Sequence, residues 1–168
     1  MLTIREMQPD DWQALANIRD SPPTLFRQYQ DEHTEGLRTV LVAEVDGRRE
    51  GYLIIEWTSS HPLFRAEGIP EIAEMRFEDE PLPPAIAEAL LGEAEKRASV
   101  AASAIGIAVS LIPENGPMPP LLIARGYLPD ERGISWRGAY VDFGDHVVVD
   151  NRLALPWRKA LHPNEDPV

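Results

Sequence analysis

A chain of 168 residues, 43% of them hydrophobic and 26% charged, has the size and balance of one globular domain. Its 28 acidic against 16 basic residues give a formal net charge of −12. Nucleic acid and anionic membrane are therefore excluded as expected partners, because both need a basic footprint. A small cationic molecule would be attracted instead. The absence of cysteine removes disulfides, thiolate metal sites and cysteine nucleophiles. No apolar run reaches the ~20 residues that span a bilayer, and Met1 to Asp10 lacks a secretion-signal pattern, so a cytoplasmic protein is expected.

Leu2 to Met7 alternates apolar and polar residues, as a strand does. Pro9, Asp10 and Asp11 then open an amphipathic helix to about Ile18. Pro22 and Pro23 break it, and a second helix is expected from Leu25 to Glu32. Val40 to Val45 and Tyr52 to Trp57 read as strands around Asp46-Gly47, a hairpin turn signal. Thr58 to Gly68 reads as a loop, and Ile69 to Phe77 as a strand. After Pro83 and Pro84 a helix runs from Ala85 to about Val100, with Ile86, Leu90, Ala94 and Ala98 on one face. Ala104 to Leu111 is a strand, and only a short helix fits before Gly126. Ile134 to Val141 and Arg152 to Trp157 close the sequence as strands, Asp145 and Asp150 belong to a late acidic loop, and His162 to Val168 is a tail.

The histidines, His33, His61, His146 and His162, show no metal-ligand spacing, so no metal is expected and each reads as a surface residue. Ser59-Ser60-His61 is a local triplet with no nucleophile-elbow pattern.

The segments GIPEIAEMRF (Gly68 to Phe77), AEALLGEAEKRA (Ala87 to Ala98), IGIAVSLIPEN (Ile105 to Asn115) and LLIARGY (Leu121 to Tyr127) carry a resemblance to the GNAT superfamily, the general-control-related N-acetyltransferases. The closing segment, Tyr127 to Leu161, is similar to a bacterial subgroup of unassigned substrate. This resemblance spans nearly the whole chain. It implies an α/β (α+β) fold, a central mixed, mostly antiparallel sheet with helices on both faces. It places a single domain at residues 1–161. It further implies acetyl-CoA as cofactor, N-acetylation of a small amine as the ancestral activity, and the late strands as a homodimer interface. Ser21 to Glu35 would shape the acceptor pocket.

In the family a glycine-rich turn at the start of the helix presents backbone N–H groups and the helix dipole to the cofactor diphosphate. The resemblance registers Leu82 at the signature arginine, Pro83 and Ala85 at the first two glycines, and Ala87 at the third. Proline has no N–H, so Pro83 and Pro84 remove two donors. Losing two charge-assisted hydrogen bonds weakens binding by roughly a hundredfold to ten-thousandfold. Glu78, Asp79 and Glu80 add repulsion toward a polyanion. Ala85, Ile86 and Ala87 keep their N–H groups, and Met75 and Phe77 would hold the pantetheine arm through their backbone. Asn115 matches the family's asparagine near that arm, whereas Leu122 replaces the tyrosine that serves as general acid.

Glu71 matches the central-strand glutamate that acts as general base, with Glu74, on the opposite strand face, as a second candidate. Tyr127 is expected in packing. Two functions stay open: an acyltransferase with weakened cofactor binding, and a catalytically silent relative serving ligand binding, dimerisation or regulation.

Overall fold

In the computed structural model, which describes residues 1–110, 118–130, 135–142 and 146–162, the chain divides into two units. Met1–Trp57 with Ala73–Ala94 form the first; Thr58–Ile72 with Glu95–Val168 form the second.

The first unit begins with β1 (Leu2–Glu6), a 3₁₀ turn (Pro9–Asp11), α1 (Trp12–Arg19) and α2 (Pro23–Thr34). Then come β2 (Arg38–Val45) and β3 (Arg48–Glu56). β1 runs antiparallel to β2 from Leu2↔Val45 to Glu6↔Leu41. The β2–β3 turn is the one its sequence requires. Asp46 and Gly47 both take positive φ, 48° and 82°, so a two-residue turn closes with Val45 opposite Arg48. That register starts β3 at Arg48 rather than at Tyr52, because pairing begins directly after the turn and carries the polar residues Arg48 to Glu50 into the strand. The last five residues of β4 (Glu71–Phe77) lie next in order after β3.

Val40, Val42, Tyr52 and Ile54 pack with Leu15, Ala16, Leu25, Phe26 and Tyr29 in one core, so α1 and α2 cover one sheet face. Leu41, Ala43, Leu53 and Ile55 alternate with the strand residues of that core and are fully buried as well, so both faces are covered. In α4 (Pro84–Ala98), Ala87, Leu90, Leu91 and Ala94 form a buried stripe at helical spacing. The helix starts one residue earlier than expected because Pro84 itself fits the first helical position.

The second unit holds α3 (Pro62–Glu67), the first two residues of β4, β5 (Ala104–Ser110) and α5 (Met118–Ala124). β6 (Leu128–Pro129), β7 (Ser135–Asp142) and β8 (His146–Ala160) complete it. β4 runs parallel to β5 at Glu71↔Gly106 and Ile72↔Ile107. β5 is antiparallel to β8 from Ala104↔Ala160 to Ser110↔Ala154, and the other half of β8 pairs β7. The sheet is thus mixed and mostly antiparallel, in the α/β architecture expected. α3 replaces the expected loop: Pro62 opens it, and the His61 ring nitrogen Nδ1 accepts the Leu63 N–H at 3.3 Å as its cap. β8 also begins earlier than the sequence indicates and takes Asp150 into a strand.

Gly106 is required by close approach. A Cβ there would sit 2.6 Å from the buried Phe64 ring. Gly106→Ala is expected to destabilise the protein by about 1–3 kcal/mol, measured by chemical denaturation; an unchanged midpoint would refute this packing.

Candidate active site

In the first unit Glu74 is the hub of a polar cluster. Its Oε1 accepts the Tyr52 hydroxyl at 2.5 Å, Arg19 Nε at 3.0 Å and Arg76 Nε at 2.6 Å. β3 and β4 place Tyr52 beside Glu74, and the last residue of α1 supplies Arg19. Tyr52 is fully buried. Burial first, and then the neighbouring Glu74 charge, push its hydroxyl far above the usual phenol range, so it stays a donor. Three donors thus converge on one oxygen of Glu74, which engages the carboxylate in ion pairing and hydrogen bonding.

Further along β4, Met75 and Phe77 are half-buried. Gly51 on β3 makes room for Phe77, since a Cβ there would lie 2.9 Å from the ring and 2.9 Å from the Arg76 carbonyl. Glu78 donates its N–H to the Glu50 carbonyl at 2.9 Å. Glu78, Asp79 and Glu80 are exposed, and Leu82 is half-buried. At the start of α4 the Ala87 N–H closes on the Pro83 carbonyl at 3.0 Å. Pro84 occupies the first helical position, so Ala85 and Ile86 supply the N–H groups that precede this bond.

In the second unit Glu71 is fully buried, as are Ser59 and His61. Ser59 Oγ donates to Glu71 Oε2 at 3.3 Å and accepts the His61 backbone N–H at 2.9 Å. The serine thus braces the carboxylate, and His61 is a buried cap rather than a surface residue. His33 also departs from that expectation. It is half-buried, with Nε2 3.2 Å from Glu6 and Nδ1 accepting the Val40 N–H at 3.2 Å. Leu122 is fully buried in α5. Tyr127 is fully buried too, as a packing residue should be. Beside it Glu95 accepts Arg125 at 2.6 Å and Lys159 at 3.1 Å. Asn115 lies outside the described residues.

Sequence reasoning missed Arg19, Tyr52 and Arg76, and took Ser59 only as part of a local triplet. Arg76 carried a signal, being two residues from Glu74 on the same strand face. The other three are joined to the carboxylates only by tertiary structure.

This arrangement of strands and helices is the GNAT acetyltransferase fold. A GNAT-family protein from Desulfovibrio desulfuricans superposes with a TM-score of 0.68 at 15% identity, over 96% of this chain and 100% of its own. An N-acetyltransferase from Staphylococcus aureus Mu50 gives 0.70 at 13% identity, over 96% and 99%. YncA from Salmonella typhimurium, solved with its cofactor acetyl-CoA, gives 0.70 at 14% identity, over 100% and 98%. No family model and no curated protein matches the sequence.

Proposed function

We propose that this chain is an acyltransferase-like protein whose ancestral activity, acetyl-CoA-dependent N-acetylation of a small amine, is weakened or lost. The observation that carries the reading is the first turn of α4. Prolines stand at 83 and 84, and the Ala87 N–H is spent inside the helix, which leaves few donors for a diphosphate. Three exposed carboxylates, Glu78, Asp79 and Glu80, precede it and repel a polyanion. These residues do not fit a diphosphate cradle.

What the fold retains supports descent from an enzyme. Glu71 is the carboxylate suited to take a proton from an amine, and Ser59 holds one of its oxygens. Glu74, engaged by two arginines and a tyrosine, serves ion pairing in this reading. Backbone groups of Met75 and Phe77, with Asn115, are the remaining contacts for a pantetheine arm, and Leu82, Ala85, Ile86 and Ala87 line the altered loop. The alternative, a silent ligand-binding, dimerising or regulatory protein, draws on the same loop and on leucine at position 122. Among the described residues no cluster suits a metal ion, and no helix is long and apolar enough to cross a membrane. A cytoplasmic protein that takes a small amine, does not bind nucleic acid or membrane, and pairs with a second copy of itself completes the proposal.

Calorimetric titration of the full chain with acetyl-CoA tests it. No saturable heat is expected up to roughly millimolar concentration. Saturable micromolar binding would reverse the reading.

A further inference from the structure

We infer that His33 is a proton-operated clasp: when neutral it fastens the last turn of α2 to the fork between β1 and β2, and protonation releases it from β2. The inference goes beyond the proposed function, since it concerns how one helix is held on the sheet. Tight acetyl-CoA binding would leave it standing.

The fork has a definite place. β1 pairs β2 as far as Glu6↔Leu41, and at the next residue the Met7 N–H still donates to the Val40 carbonyl at 2.9 Å. The Val40 N–H points to the same side of its strand but donates to His33 Nδ1 at 3.2 Å, so the imidazole stands where a strand carbonyl would. A ring nitrogen that accepts carries no hydrogen. The ring hydrogen therefore sits on Nε2, 3.2 Å from Glu6 Oε2. One neutral tautomer thus serves the end of β1 and the start of β2 together.

An imidazolium cannot do this. Both of its nitrogens are donors, so however the ring turns it offers the Val40 N–H no lone pair. Val40 and Met7 are buried, where an N–H left without an acceptor is destabilising. The charged groups around the ring pull in both directions. Glu6 on β1 and the carbonyl end of α2 favour the cation. Arg38 on β2 opposes it, although Glu32 of α2 and Glu56 of β3 engage that guanidinium, which also lies over the Tyr29 ring. Glu35, at the helix C-cap, is exposed. A protonated ring therefore keeps Glu6 as an ion partner and gives up Val40. The helix feels the loss because its last turn has no apolar anchor: the buried residues of α2, Leu25, Phe26 and Tyr29, all precede it. Polar links such as His33 and the Glu32–Arg38 ion pair hold that turn instead.

The test is nuclear magnetic resonance of the isotope-labelled full chain from about pH 8 to about pH 5, following the His33 ring nitrogens and the Val40 amide. At the upper end the ring should show the tautomer with hydrogen on Nε2. As His33 gains its proton, the protection of the Val40 amide against hydrogen exchange should fall at least about tenfold. The amides that β2 donates to β3 should keep theirs. In His33→Gln the side-chain carbonyl can still accept from Val40 and does not titrate, so Val40 should stay protected across the whole range. Hydrogen on Nδ1 at the upper end, a ring that stays neutral to the lower end, unchanged Val40 protection as His33 is protonated, or the same loss in His33→Gln would each overturn the inference.

Discussion

Asp11→Ala is expected to cost about 3–5 kcal/mol of folding stability, because it strips the shared partner from two arginines at a fully buried position. Asp11 Oδ2 accepts Arg5 at 2.7 Å and the Gln8 N–H at 2.7 Å, and Oδ1 accepts Arg5 at 2.8 Å and Arg49 at 2.7 Å. The residue therefore ties β1, β3 and the start of α1 together. Burial pushes its carboxyl up, but the bonds from Arg5, Gln8 and Arg49 outweigh that and hold it at about 2 against an ordinary 3.8. A depressed value of this kind gives stability that is complete above the unfolded-state value. The contribution, roughly 2 kcal/mol, is lost as pH falls from about 4 toward 2. Chemical denaturation at pH 7 and across the acid range checks both parts. A wild-type and an Asp11→Ala protein losing stability equally over that range would refute the assignment.

Phe26→Ala should be comparably severe, about 3–5 kcal/mol by denaturant midpoint. Phe26 is fully buried and meets Tyr29 and Tyr52 edge to face, at 5.5 and 5.4 Å between ring centres. Removing it leaves a cavity and deletes two aromatic contacts at once. The effect extends to the polar cluster, because Tyr52 carries the hydroxyl that fixes Glu74. The Arg19 and Arg76 side-chain resonances should therefore shift in a Phe26→Ala protein that remains folded. A loss under about 1 kcal/mol would mean the aromatic trio contributes little beyond area.

The parts of the fold that could be read in advance are those whose cause is local. Asp46-Gly47 demanded a two-residue turn, and the face of Ile86, Leu90, Ala94 and Ala98 demanded a helix against a core, although the fully buried residue at its start is Ala87 and Ile86 is half-buried. α3 was hidden because fewer than two turns of helix have too little periodicity, and its cap is a histidine rather than a serine or aspartate. The site divides the same way. The loop from Leu82 to Ala87 could be judged residue by residue, since proline lacks a donor in any context. The environments of Glu71 and Glu74 could not, because Ser59, Tyr52 and Arg19 reach them from other elements. Sequence alternation separates the two carboxylates by face but does not say which one is buried and which is crowded by arginines.

The Asp46-Gly47 turn also bears on how the chain reaches its native state. Joining Val45 to Arg48 closes the shortest possible hairpin loop, so β2 and β3 can find each other at little entropic cost. Ala104 and Ala160 must instead be gathered from distant points along the polypeptide. Non-local pairing of that sort is intrinsically slow. Refolding is therefore expected to form the β2–β3 hairpin early and the β5–β8 pairing late.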